Sequence, residues 1–297
     1  MNWPDPTTEG TPAAHRTPAA HRTPADHRTP AGQRTPAGWR TVAALRTVAA
    51  LSWREYRAVY PLRVVLASSL PRAILQTLFV AYVGLIAAGP AGRDFALVGG
   101  AMQVVTIATV IKAADILVEE RIFGTLYRMR LAWIPLPVVA ATRWWIFTAE
   151  GVLGGMVAAT AACLLFDRPA LMTGMWAATG LVVLVALSTS ALGMAVAAFA
   201  MTQRVDSFIT NLVSYLLLAL TGSVAPLERL PDALEAPAHA LPMTNGLLAI
   251  RGALAGGPWL GHAAAEAVVG LGWLAVAGAV LTLQARRART DDTDGRI

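Results

Sequence analysis

Residues 173–200 read TGMWAATGLVVLVALSTSALGMAVAAFA, with no Asp, Glu, Lys or Arg among them. A helix needs about 20 predominantly apolar residues to cross about 30 Å of hydrocarbon, and this stretch supplies them. Runs of the same kind stand on either side, at 71–89, 95–118 and 144–166 before it and at 207–225 and 262–285 after it. Six predicted spans within 64–285 make an all-α membrane protein. The composition agrees: 56% of residues are hydrophobic, 14% are charged, and the mean hydropathy is +0.53. A soluble chain carries about 25% charged residues to cover its surface. Cys163, the one cysteine, lies inside an apolar run, which excludes a disulfide scaffold.

Working outward to the N-terminus, the hexapeptide Thr11–Arg16 recurs with drift at Thr17, Thr23, Thr29 and Thr35. A Pro in every unit forbids a continuous helix, and the few apolar residues cannot build a core. Residues 1–40 are therefore expected to be a disordered low-complexity tail. From Thr41 onward Val replaces the repeat's Pro, and Val42, Leu45, Val48, Tyr56 and Val59 recur at helical spacing. Arg46, Arg54, Arg57 and Arg63 supply a cationic side. Over 41–63 this pattern predicts an amphipathic lead-in helix lying at the membrane interface. It has no uninterrupted apolar core of the kind a cleavable signal peptide needs.

Charge then fixes an expected topology. Arg makes up 23 of the 24 basic residues, and Lys112 is the remaining one. On a six-span frame 19 of those arginines fall on one side, among them Arg121, Arg128, Arg130, Arg143, Arg204 and those of both tails. Arg93, Arg168, Arg229 and Arg251 fall on the other. The excess marks the cytoplasmic face, so both ends, including the tail 286–297, are expected inside. A pI near 10.2 thus reports where the chain's ends sit and not a nucleic-acid-binding face.

Ionisable groups at membrane depth are costly, so each demands a partner or a use. Lys112 and Asp115 lie one helical turn apart near the inner end of the second span, with Glu119 and Glu120 beyond. They read as a paired interfacial cluster or as part of a gate. Arg143 and Glu150 share a face of the third span, with Phe147 between them, and Glu150 is a candidate pore residue. Glu266, near the outer end of the sixth span, is expected to be interfacial. Trp144 and Trp145 read as an aromatic belt, and Gly151 with Gly155 as a close helix-packing step. Residues 225–261 carry five prolines among leucines at helical spacing, which suggests broken, re-entrant helices between spans five and six. No Gly-Lys-Ser/Thr loop and no His-Glu-x-x-His pair is present, so the chain is expected to hydrolyse nothing and to hold no cofactor or metal.

Four stretches resemble the type-2 family of ATP-binding-cassette transporter permeases. They are Trp53–Arg57 through Leu70-Pro71-Arg72; Glu119-Glu120-Arg121-Ile122-Phe123-Gly124-Thr125-Leu126; Leu220-Thr221-Gly222 leading to Pro226 and Leu230-Pro231; and Leu241-Pro242 through Asn245 to Arg251-Gly252. The resemblance covers about residues 50–285 and leaves the repeat tail outside. It implies a half-transporter in a bacterial plasma membrane, paired with a second copy or a paralogue. Two separate ATPase subunits would bind the ATP. It also implies export, and hence efflux or antibiotic resistance, of a hydrophobic or amphipathic drug, antibiotic or lipid. A polysaccharide or polyol-phosphate exporter, or an ATP-independent channel or assembly factor, stands as the alternative. Within 119–131, Ile122, Phe123, Leu126 and Met129 form an apolar stripe flanked by arginines. A short helix of that kind can lie on lipid or insert into a partner's groove. By the resemblance, Glu119, Glu120, Arg121, Phe123, Gly124 and Thr125 would couple to the ATPase.

Overall fold

The computed structural model describes residues 37–112, 114, 136–200 and 206–290, and those residues form helices and short connections without a strand. The lead-in helix α1 runs Ala37–Val59, starting earlier than expected and ending just before Pro61. A short helical turn, Leu62–Val64, and a wide turn, Val65–Ser69, lead into α2, Leu70–Thr106, which a second wide turn extends through Ile107–Lys112. After it come α3 (Leu136–Leu165), α4 (Pro169–Ala177), α5 (Thr179–Ala200) and α6 (Asp206–Leu220). The single turn Leu227–Arg229, α7 (Asp232–His239), α8 (Thr244–Leu254) and α9 (Leu260–Thr290) complete the chain.

Four helical stretches are long and apolar enough to cross a membrane: Leu62–Lys112, Pro137–Leu165, Thr179–Phe199 and Leu260–Gln284. The first holds 51 residues, about 77 Å if it were straight. It is not straight. Ala88 (φ −147°) and Gly89 (φ 67°) leave the helical region and reverse the chain, and Pro90 starts the returning leg. Pro has no N–H to lose at a helix start and its ring pre-sets the helical φ. The two legs pack so tightly that a Cβ on Gly84 would strike the Gly92 carbonyl, and one on Gly100 would crowd Thr77. A two-residue reversal thus replaces the longer connection expected at 90–94, and Arg93 and Asp94 lie inside the returning leg.

Two expected spans are corrected. The run 173–200 breaks at Ala178, so its crossing portion begins at Thr179. The run 207–225 is helical only to Leu220, about 22 Å over its 15 residues and short of the hydrocarbon thickness. Gly222, at φ 73°, then turns the chain aside. The broken helices expected in 225–261 are present as Leu227–Arg229, α7 and α8.

α5 is the centre of the molecule. Of its most apolar window 83% is buried, against 22% for Leu62–Lys112 and 17% for α9. A helix apolar all round belongs in such a position. Val182, Val185 and Ala186 of α5 pack with Leu97 and Met102 of the returning leg, Met156 and Ala159 of α3, and Leu247 and Ile250 of α8. The outer helices turn Leu75, Phe79, Ile86, Val268 and Leu271 outward, a surface suited to lipid. Gly151 and Gly155 sit against Val105 and the Ala101 carbonyl, so their spacing serves close packing of α3 on α2.

Candidate functional site

Two clusters of polar side chains stand out, one beside α1 and one around α8. The first is built on α1 docking against α3. Trp53 stacks on Trp145 with ring centroids 6.3 Å apart, and Tyr56 meets Phe147 edge-on at 5.7 Å. Arg143 Nη2 donates to Glu55 Oε2 at 2.6 Å. Lys112, which closes the wide turn after α2, pairs with Glu150 of α3, and its Nζ stands 4.5 Å from the Tyr60 ring centroid. Burial, helped by the nearby Glu150 carboxylate, pushes the Tyr56 phenol above its ordinary range. Wide helical turns recur at functional sites because they re-aim the side chains they carry. Here one carries Lys112 toward α3.

Both ion pairs add partners that the sequence reading did not name. Lys112 takes its partner from another helix, and Asp115 lies outside the described residues. Arg143 and Glu150 share a face but point to different partners, Glu55 and Lys112. Trp144 is not in a belt: it is buried, with its indole Nε1 unpartnered, while Trp145 stays half-exposed on Trp53. The coupling segment with Glu119, Glu120, Arg121, Phe123, Gly124 and Thr125 also lies outside the described residues. Glu55 escaped the sequence reading although a signal existed, since it is the single acid among four arginines in 41–63.

The second cluster pins α8 at both ends. Glu266 of α9 is fully buried, not interfacial. Its Oε1 accepts the Met243 N–H at 2.7 Å and the Ser188 hydroxyl, and its Oε2 accepts the Gly246 N–H at 2.9 Å. A helix start leaves its first N–H groups unpaired and carries positive dipole, so a carboxylate from a distant helix caps α8 where no local side chain does. Met243, at φ 79°, holds a left-handed conformation unusual for its type, and the Thr106 hydroxyl contacts its sulfur at 3.1 Å. Toward the other end Arg251 stacks 3.4 Å from the Phe95 ring centroid and donates to the Gly222 and Phe95 carbonyls at 2.8 and 3.2 Å. The Glu266 carboxylate and the Arg251 terminal nitrogens are thus occupied in holding backbone. Among the described residues no three His, Cys, Asp or Glu side chains converge on a metal position.

The family model of ABC-2 type transporters matches residues 46–255. This chain belongs to the ABC-2 type transporter family. Members are transmembrane subunits that work with a separate ATP-hydrolysing subunit, so this chain is an ABC transporter permease. No curated protein and no solved structure matches it. The matched region opens inside α1 and closes just after α8. It therefore contains the whole α1 junction of this ABC-2 permease and the Phe95, Gly222 and Ser223 carbonyls that Arg251 contacts, whereas Glu266, on α9, lies beyond it.

Proposed function

We propose that this permease is half of an exporter for a hydrophobic or amphipathic drug, antibiotic or lipid, driven by two copies of a separate ATPase. A second copy or a paralogue completes the path. The chain crosses a bacterial plasma membrane six times, by the two legs of α2, then α3, α5, α6 with its irregular extension, and α9. Both termini are cytoplasmic. The observation that carries the cargo reading is a pair of largely apolar cavities, of about 570 and 910 Å³, flanking α3 and sharing Trp145, Ala149 and Leu153 in their walls. Such walls suit apolar cargo, while a polysaccharide would need hydroxyl partners along its length. Glu119, Glu120, Arg121, Phe123, Gly124 and Thr125 dock on the ATPase, with Gly124 allowing close backbone approach.

The test is cargo uptake by inverted membrane vesicles holding the chain with its partner ABC ATPase. ATP-dependent accumulation of an apolar compound is expected, and loss of accumulation without the ATPase. Uptake that ignores the ATPase would overturn the reading. Gly124→Trp should leave membrane insertion intact yet abolish co-purification with the ATPase and stimulation of ATP hydrolysis. Full coupling in that variant would remove 119–125 from the ATPase interface.

A further inference from the structure

The smaller cavity opens beside α1 and carries a charge pattern that the export reading does not use. Much of its wall is apolar: buried Val104 and Ala108, half-buried Leu70, and the exposed Leu153 and Val157 of α3. Its rim carries Arg57, Arg72 and Lys112 against a single carboxylate, Glu150. Lys112 is engaged by that carboxylate. Arg57 lies over the Trp53 ring, 5.9 Å from its centroid, and Arg72 is exposed without an ion pair among the described residues. Among the described residues the rim thus keeps two positive charges without an ion pair. These charges come from α1, the start of α2 and its end, so they gather at one end of the bundle. Leu153 and Val157 lie one and two turns farther along α3 than Glu150, so the apolar wall leads from that rim into the membrane.

We propose that this cavity binds an anionic phospholipid, with its phosphate at the Arg57 and Arg72 rim and an acyl chain along Leu153 and Val157. Charge complementarity selects the head, and the apolar wall selects a ligand with a chain over a free anion. Basic residues at an anionic surface attract it, and Trp53, Tyr60 and Trp145 supply the aromatic rim that headgroup-level sites favour. The bound lipid bridges α1 to both legs of α2 and to α3. The proposal rests on α1 lying at the membrane surface. It does not depend on the identity of the cargo, and its test reads binding with no transport step.

The experiment is native mass spectrometry of the full-length chain in detergent, with phosphatidylglycerol or phosphatidylcholine of identical acyl chains. One phosphatidylglycerol should be retained with about fivefold preference, the size of one basic residue's attraction. Arg72→Gln should weaken the preference, Arg57→Gln together with Arg72→Gln should erase it, and Arg72→Lys should keep it. Arg229→Gln, on an exposed connection elsewhere, should leave it unchanged. Leu153→Trp should fill the cavity and reduce retention of the lipid. Glycerol phosphate, the head without a chain, should not displace it. Equal retention of the two lipids, an equal loss in Arg229→Gln, undiminished retention in Leu153→Trp or displacement by glycerol phosphate would each overturn the proposal.

Discussion

Glu266 shows how a single buried charge organises backbone far from it in sequence. Two N–H donors, from Met243 and Gly246, end on one carboxylate, and the Ser188 hydroxyl closes the set. Hydrogen bonds to a charged group contribute about 1.5–3 kcal/mol each, and a buried donor left unpaired costs about 1–3 kcal/mol. Glu266→Leu should therefore destabilise the protein by several kcal/mol, while Glu266→Gln keeps one acceptor oxygen and loses less. Thermal unfolding in detergent orders the variants; equal stability of Glu266→Leu and the parent protein would contradict this role. The Lys112–Glu150 pair sits between two regimes, with side chains 13% and 15% exposed. Exposed pairs contribute at most about 1 kcal/mol, and breaking buried ones costs about 3–5 kcal/mol. Lys112→Met or Glu150→Met alone should cost about 2–3 kcal/mol, and the double substitution should recover most of it, because no charge is then left unpaired. A double-mutant cycle on unfolding measures that coupling.

At the scale of elements, the reversal in α2 depends on one residue's backbone. Gly89 at φ 67° has open space where a Cβ would stand, so the obstacle to substitution is conformational and not steric crowding. Asn tolerates the left-handed region and β-branched residues do not. Gly89→Asn should be accepted, and Gly89→Val should cost about 1–3 kcal/mol, read as a lowered unfolding temperature. The four helical stretches long and apolar enough to cross a membrane were legible in the sequence, because apolar length is a local property that needs no partner. Where helices end was less so. The run 207–225 stays apolar past Leu220, and only the turn at Gly222 stops the helix. Ionisable residues such as Lys112 and Glu150 were conspicuous in apolar runs, but their pairing was not legible. It depends on the depth and rotation of two helices that no spacing along one helix encodes. Glu266 misled for the same reason: its position near a helix end suggested an interface, and the fold of α8 against α9 buries it.

Across the described residues the ion pairs sort by end. Glu55–Arg143 and Lys112–Glu150 lie where α1 meets α3. Asp94, just past the α2 reversal, pairs with Arg168, which follows the far end of α3. Each leg of α2 and the length of α3 thus separate two groups of charges. Gln284 Nε2 donates to the Ala198 carbonyl at 2.6 Å, which sets the end of α9 beside the end of α5. If 19 of 23 arginines mark the cytoplasm, the α1 junction and the end of α9 share that side, and the Asp94–Arg168 contact is outside. Reporters fused after residues 92, 168 and 240 should read as extracytoplasmic, and fusions after 130, 204 and 290 as cytoplasmic. The decisive position is 92. Were Leu62–Lys112 a single long crossing with no return, 92 and 130 would fall on sides inconsistent with a reversal at Gly89. An extracytoplasmic reading at 290 would demand an odd number of crossings, and α6, an apolar helix short of the hydrocarbon thickness, would then be the element that fails to cross.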